Sequence, residues 1–459
     1  MEERVDVVVV GMGPGGEEVG NKLAEAGLNV VGIEQRLLGG ECPYWGCVPS
    51  KMMIRAGNLL AEAWRIPGMA GEASVTPSWT PVAQRIRDDA TDNWDDKVAV
   101  DRFEGKGGHF IRGTGHIEGA NRVSVDGRTI TAARALVIGT GTEPSIPPIP
   151  GLSSAPYWTN HGAIETEEVP ASLIVLGGGA VGVELAQVFA RFGAQVSIVE
   201  GADRLIPLEE PESSRLAADI LQREGITIRT GVSAESVSND AVSITVRLSD
   251  GTTLTAERLL VATGRRAELK ALGVANAGLD DKAKAIKVDE HSRAAPGIWA
   301  VGDVTGVAAF THMAMYQARI AVSDILGHDS RAAVYRGIPR VTFTDPEIGA
   351  TGLTEEQARK QGLAVRTGIM KVSTSARGWI HKAGNDGFIK LIADADRNVL
   401  VGATSAGPVG GEVLSMLTLA VHAEIPLPVL DSMIYAYPTF HRGVTDALRA
   451  LLEQELSLR

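Results

Sequence analysis

Val5-Asp6-Val7-Val8-Val9-Val10-Gly11-Met12-Gly13-Pro14-Gly15-Gly16 carries two signals in succession. The β-branched run without alternation reads as a strand buried on both faces of a parallel sheet. The glycine cluster after it reads as a turn into a helix, and Glu17 to Ala26 has the amphipathic spacing of that helix. A second strand, Asn29 to Ile33, ends in Glu34. A strand, a Gly-x-Gly-x-x-Gly turn, a helix and an acid at the end of the next strand suit a dinucleotide. The glycines admit the pyrophosphate, the helix N-terminus supplies donors, and the carboxylate takes ribose hydroxyls. The candidate ligands are Gly11, Gly13, Gly16 and Glu34.

The unit then recurs. Leu173 to Leu176 reads as a strand, Gly177-Gly178-Gly179-Ala180-Val181-Gly182 as the turn, Val183 to Phe192 as the helix, and Gln195 to Val199 as a strand ending in Glu200. Gly11 to Glu34 and Gly177 to Glu200 are both intervals of 23 residues. Two dinucleotide sites imply two cofactors, an electron-transfer arrangement, with Gly177, Gly179, Gly182 and Glu200 as the second set of ligands.

Between the repeats lies Gly39-Gly40-Glu41-Cys42-Pro43-Tyr44-Trp45-Gly46-Cys47-Val48-Pro49-Ser50-Lys51, which holds both cysteines of the chain. On an unbroken helix their Cα atoms would be roughly 8 to 9 Å apart, beyond the reach of about 7 Å that a disulfide allows. Pro43 and Gly46 permit the bend that brings the sulfurs together. Two inert core cysteines are the bland alternative. In a cytoplasmic protein a disulfide is more often catalytic than structural.

Elsewhere the pattern predicts a polar helix over Thr80 to Phe103, strands at His109 to Ile117, Arg122 to Val125 and Arg128 to Ile130, and Ala135-Leu136-Val137-Ile138-Gly139-Thr140-Gly141. Ala262-Thr263-Gly264-Arg265 echoes this last segment, and Ile298 to Asp303 is a strand closing on Gly302-Asp303. From about Arg336 the texture becomes β-rich, with helices at Glu412 to Ala423 and His441 to Leu456. Three domains are expected: 1–150, completed by 271–335; 151–270; and 336–459. The net charge of -12 and the lack of a Lys/Arg run argue against nucleic acid. The N-terminal apolar run is too short for a secretory signal, and no stretch approaches the roughly 18 apolar residues of a membrane span. A soluble cytoplasmic protein without a membrane partner is expected. His312, His381 and His422 have no metal-ligand spacing, and no metal is expected.

With Pro339 to Glu347 added, six motifs in order resemble, over essentially the whole length, the flavoprotein disulfide reductases, the class I pyridine nucleotide-disulfide oxidoreductases. The resemblance implies an α/β protein with two Rossmann-type dinucleotide-binding domains and an α+β C-terminal dimerisation domain that makes a homodimer. It implies FAD on Gly11, Gly13, Gly16, Glu34, Gly141, Gly302 and Asp303. It implies NAD(P)H on Gly177, Gly179, Gly182, Glu200 and Gly264. It implies that Cys47 is the thiolate against the flavin, that Cys42 is the interchange thiol, and that Lys51 pairs with Glu184 beside the flavin ring. A solvated helix lysine is the plainer account of Lys51. Glu200 favours NADH, with NADPH as the alternative because Arg204 follows four residues later.

Near the C-terminus the chain departs from the thiol-disulfide members, which carry His-Pro-Thr and, after two intervening residues, Glu. Here Tyr437 and Arg442 stand at the His and Glu positions. Tyr titrates about three units above His, which suits proton shuttling poorly at neutral pH. Either His441 serves as the base, or Tyr437 only donates a hydrogen bond, or the acceptor needs no acid-base help. Tyr44 and Trp45 replace small residues and either cap the thiol face or pack inward. A further cysteine pair for mercury is absent from the chain. The leading expectation is an enzyme, an FAD-dependent NAD(P)H oxidoreductase that reduces a small-molecule disulfide or other soft electrophile through Cys42 and Cys47. The alternatives are a quinone or diaphorase-type reductase working from the flavin, and a dihydrolipoamide dehydrogenase with an altered acid-base residue.

Overall fold

The run Val5–Val10 lies in the strand Glu2–Val10, and its side chains divide between two cores. Val5, Val8 and Val10 pack with Ile33, Ile117 and Leu136 on one face, and Val7 and Val9 pack with Leu23, Phe103 and Ala318 on the other. Each fully buried valine is worth about 1.5 to 3 kcal/mol, so both faces favour this register. The computed structural model describes residues 2–329 and 331–457, so Met1, Leu458 and Arg459, at the ends of the expected first and third domains, lie outside it, as does Ser330.

The chain forms two units. The first comprises Met1–Ser50, Ala83–Ser145 and Gly264–Ala333. Its sheet runs Arg293–Ala295, Ile298–Ala300, Arg128–Ile138, Glu2–Val10, Val30–Glu34, Gly108–Arg112, with His116–Gly119 and Arg122–Val125 joined at Arg128–Ile138. Glu2–Val10 is parallel to both its neighbours. The helices Pro14–Glu25 and Thr311–Leu326 supply Val19, Leu23, Ala318 and Ala321 to one face.

Two expected elements are broken here. Thr80 to Phe103 is not one helix but Thr80–Arg85, a π-turn Ile86–Ala90, and Lys97–Gly105. Asp92, Asn93 and Trp94 all take positive φ, and Thr91 Oγ1 donates to the Ile86 and Arg87 carbonyls. Consecutive left-handed residues end a right-handed helix. His109 to Ile117 splits into Gly108–Arg112 and His116–Gly119. The chain turns where a Cβ on Gly113 would lie 2.6 Å from Val125 and one on Gly115 2.9 Å from Val10. Conversely, Arg128 to Ile130 and Ala135 to Ile138 join in one strand, Arg128–Ile138.

The second unit comprises Lys51–Val82, Ile146–Thr263 and Val334–Arg459. A parallel sheet, Thr227–Thr230, Gln195–Glu200, Ser172–Leu176, Arg258–Val261, repeats the first design. A small antiparallel sheet, Ala234–Asn239, Ile244–Leu248, Thr253–Ala256, shares its core. A third, antiparallel sheet of five strands runs Pro339–Thr342, Glu347–Gly352, Val399–Gly407, Phe388–Asp394, Val365–Lys371. The helices Gly410–His422 and Gly443–Ser457 pack on it through Leu417, Val421, Leu448 and Leu451. His441 lies before the last helix rather than in it, because the helix begins where the Gly443 N–H bonds the Phe440 carbonyl.

Candidate functional site

The first glycine turn is a backbone-on-backbone contact. A Cβ on Gly16 would stand 1.9 Å from the Gly11 carbonyl oxygen, and Gly11 itself has φ +87°. Pro14 opens the helix behind Gly13, so the first-turn N–H groups face outward at its positive end. Glu34 is tied to this turn: its Oε2 accepts from Met12 N at 2.9 Å and its Oε1 from Arg36 N at 2.8 Å. Burial pushes its carboxyl up, against the pull of those two N–H groups. Asp303 follows Gly302, whose N–H is held by Gln317 Oε1 at 2.8 Å. Asp303 Oδ2 accepts from Thr142 Oγ1 at 3.1 Å, and burial raises its carboxyl too.

Gly141 has φ +62°, beside Thr142. Gly264, expected with the second nucleotide site, falls in the first unit. There its carbonyl accepts from Ser145 N, and Arg265–Arg266 pairs with Glu143–Pro144. Arg265 also donates to the Thr142 carbonyl and hydroxyl and lies 3.5 Å from Glu41.

The thiol segment is built onto the same turn. Gly39 N donates to the Met12 carbonyl at 2.8 Å, and a Cβ on Gly40, at φ +68°, would stand 2.8 Å from Gly13 Cα. Glu41–Tyr44 is a single helical turn that stops at Trp45 and Gly46, and Cys47 opens the long helix Cys47–Trp64. A Cβ on Gly46 would come to 3.0 Å from the Glu41 carbonyl oxygen, so the bend favours glycine there. The two cysteines are separate thiols, Cys42 partly buried and Cys47 exposed. Cys47 Sγ lies 3.3 Å from Thr311 Oγ1. The Cys42 thiol is pushed up by its hydrogen bond with Cys47, by burial and by the charge on Cys47. Tyr44 and Trp45 are 6% and 9% exposed. They pack inward rather than cap the thiols, and burial pushes the Tyr44 phenol up to about 12.

In the second unit the turn is repeated closely. A Cβ on Gly182 would stand 2.0 Å from the Gly177 carbonyl oxygen, and the Gly179 position is open. Glu200 Oε2 accepts from Gly178 N at 2.6 Å and Oε1 from Ala202 N at 2.7 Å. Arg204 is turned into its own loop, donating to the Glu209 carbonyl, Ser214 Oγ and the Pro207 carbonyl. Lys51 Nζ donates to Glu184 Oε2 at 2.9 Å and lies 4.6 Å from the Phe343 ring centre. Phe343 N donates to Glu184 Oε1 at 2.8 Å.

Tyr437 is 73% exposed. His441 lines a groove of about 740 Å³ with Arg377, Glu412, Met416, Met433 and Phe440. Its ring lies 6.5 Å from that of Tyr435, and Arg442 pairs with Asp446 at 3.6 Å. Thus Cys42, Cys47, Glu34 and Asp303 belong to the first unit, and Lys51, Glu184, Glu200, Tyr437 and His441 to the second. Thr311, Thr142 and Gln317 escaped the sequence reading, and Phe343 was read only as part of Pro339 to Glu347, without a role of its own. For Thr311 a signal existed, since it immediately precedes His312 to Leu326, whose spacing reads as a helix. Among the described residues no helix is long and apolar enough to cross a membrane, and no group of three or more His, Cys, Asp or Glu is placed for a metal ion.

Comparison with known proteins adds the following. Residues 5–318 match the family model described as pyridine nucleotide-disulphide oxidoreductase, and residues 338–448 match that family's dimerisation domain. The chain is 31% identical to a dihydrolipoyl dehydrogenase of Thermus scotoductus, over 99% of this chain and 98% of that one. It is 30% identical to a mercuric reductase of Staphylococcus aureus, over 96% of this chain and 81% of that one. Among solved structures, the HOCl-induced flavoprotein disulfide reductase RclA from Escherichia coli matches with a TM-score of 0.84 at 27% identity, covering 98% of this chain and 99% of that one. LpdA from Mycobacterium tuberculosis matches with a TM-score of 0.85 at 25% identity, covering 97% and 99%. Two glycine turns each closed on a carboxylate, a thiol pair seated on the first of them, and these two matched domains have one common account: the chain belongs to the pyridine nucleotide-disulphide oxidoreductases, FAD-dependent enzymes that take electrons from NAD(P)H.

Proposed function

We propose that this chain is an NADH-dependent reductase of a disulfide or other soft electrophile, and that Cys42 is the sulfur that meets the acceptor. The observation that carries this reading is the docking of Gly39 and Gly40 on Met12 and Gly13, which builds the thiol segment onto the first dinucleotide turn. FAD fits that turn: backbone lies where a Cβ on Gly16 would collide, outward N–H groups await a pyrophosphate, and Glu34 and Asp303 are placed for hydroxyls. Bound there, FAD would supply two-electron transfer between the nicotinamide and the Cys42–Cys47 pair.

The chain's own residues then divide the work. Thr311 hydrogen-bonds the Cys47 sulfur and helps hold its charge. Cys42 must lose its proton to attack, and its raised pKa means that a base has to act on it. The second thiol then displaces the substrate sulfur, so that NADH, a proton and a disulfide give NAD+ and two thiols. Tyr437 and His441 are the candidates for proton handling, contributed to the partner subunit of a homodimer. The exposure of Tyr437 and the place of His441 in an open groove support this. Lys51 and Glu184 form an ion pair that Phe343 fixes through its N–H. Glu200 with Arg204 turned away supports NADH over NADPH. A cytoplasmic location fits a thiol pair that cycles on NADH.

Cys42→Ser tests the reading. Loss of disulfide reduction, with NADH-driven reduction of a quinone largely intact, is the expected result. Undiminished disulfide reduction overturns it. A quinone or diaphorase-type role is the second reading, favoured by Arg442: a cation paired with Asp446 cannot orient a base as a carboxylate does. Quinone turnover far above that of any disulfide would select it.

A further inference from the structure

The loop Gly201–Glu210, after the acid of the second glycine turn, is held in an unusual way. Ile206 has φ +40°, left-handed backbone that a β-branched residue rarely adopts, yet Leu205 and Ile206 are only 1% and 3% exposed. They are pressed onto the glycine turn itself. Ile206 N donates to the Gly178 carbonyl at 2.8 Å, and Leu205 lies so close to Gly178 that a Cβ there would stand 2.5 Å from it. Strained backbone persists only where its surroundings over-determine it.

The restraint comes from the five-stranded sheet of the same unit. Arg340, on Pro339–Thr342, grips Glu209 with a two-pronged fork, Nε to Oε1 at 2.7 Å and Nη2 to Oε2 at 2.9 Å. Lys390, on Phe388–Asp394, is 6% exposed and reaches Glu210 at 2.7 Å, Glu355 at 2.9 Å and Glu212 at 3.3 Å. The other oxygen of Glu210 accepts from Glu355 N at 2.6 Å. Both ends of the strained segment are therefore fastened, one to the glycine turn and one to the C-terminal sheet. Two of Arg204's three bonds depend on the fastening, those to the Glu209 and Pro207 carbonyls within the loop, and the third goes to Ser214 Oγ on the helix that follows.

We propose that Arg340 and Lys390 are positioning residues for the nicotinamide nucleotide site: by clamping Glu209 and Glu210 they keep the loop on the glycine turn and Arg204 turned inward, and so set the preference against a 2′-phosphate. Without the clamp the loop relaxes, and Arg204 becomes a free guanidinium four residues from Glu200, with the fork geometry that pairs a phosphate. The inference rests on the reading of the second turn as the nucleotide site and of Glu200 as selecting NADH.

The test uses the flavin-loaded enzyme, with ferricyanide as acceptor so that Cys42 is not needed. NAD+ affinity and kcat and KM for NADH and NADPH are measured for the unaltered protein, Arg340→Ala, Arg340→Lys and Lys390→Met. Arg340→Ala is expected to raise the NADH KM about tenfold with kcat within about twofold, the pattern of lost binding rather than lost chemistry. The NADPH-to-NADH ratio of kcat/KM is expected to rise about tenfold and to fall back when Arg204→Met is added. Arg340→Lys recovers part of the loss. Should Arg340→Ala not fold, Glu209→Gln carries the same prediction in weaker form. A lowered melting temperature with KM and ratio unchanged makes the contacts merely structural and overturns the proposal. Failure of the unaltered protein to bind NAD+ or NADP+, or a preference for NADPH, instead overturns the underlying reading of the site.

Discussion

The two glycine turns are near copies whose sequels differ. In each, a glycine Cα stands where a Cβ would overlap a carbonyl, at 1.9 Å for Gly16 and 2.0 Å for Gly182. In each, an acid at the end of the next strand accepts two backbone N–H groups, Glu34 from Met12 and Arg36, Glu200 from Gly178 and Ala202. After Glu34 the chain returns to the turn and seats a thiol pair on it. After Glu200 it forms a strained loop that keeps a guanidinium away. The lesson is that the same turn can carry different sequels, and on the proposed reading the few residues after the acid determine what each site does.

The strongest test of this division is a matched pair of glycine substitutions. Gly16→Ala is expected to yield protein without bound flavin, because a main-chain carbonyl cannot move aside and overpacking of this kind costs about 3 kcal/mol or more. Gly182→Ala is expected to keep its flavin and lose reduction by NADH. Flavin absorbance and NADH titration read the pair, and flavin loss in both would break the comparison.

Next in size is Gly40→Ala, which strains a left-handed residue and pushes on Gly13. Loss of about tenfold or more in disulfide turnover, with smaller loss toward ferricyanide, is expected for a thiol segment displaced from the turn. Equal losses toward both acceptors would count against separate roles for turn and segment.

Proton dependence should also separate the two halves. The Cys42 pKa is raised, so its thiolate is scarce at neutral pH and grows as pH rises. Disulfide kcat/KM is therefore expected to climb with pH through the ordinary thiol value, while the NADH-to-ferricyanide rate stays flatter. A plateau for disulfide reduction near neutrality would show that a partner group, Tyr437 or His441, already removes the proton. The smallest effect is expected from Arg204→Met alone. With the guanidinium turned into its loop, the NADPH-to-NADH ratio should stay within about twofold, since an interaction absent from the bound state cannot be lost.

What could be read from the chain alone varied with the range of the interactions. Val5–Val10 announced a strand covered on both faces because its valines do not alternate with polar residues, Asp6 being the one exception, and the two cores confirm the two faces. Thr80 to Phe103 misled, because its helical pattern continues through Asp92, Asn93 and Trp94, whose left-handed backbone no periodicity reveals. Tyr44 and Trp45 were legible as large residues but not as buried ones. Arg204 was legible as a charge near Glu200 but not as one already bonded to Glu209 and Ser214.

By itself the sequence determined the two glycine turns and the bend between the cysteines, since both are local demands: backbone so close that only glycine fits, and a helix that must stop within five residues. Only the tertiary structure decided which group stands beside each functional side chain. Thr311 reaches Cys47 across 264 residues, and Phe343 reaches Glu184 across 159. Such pairings follow from how sheets and helices pack, and no spacing along the chain encodes them.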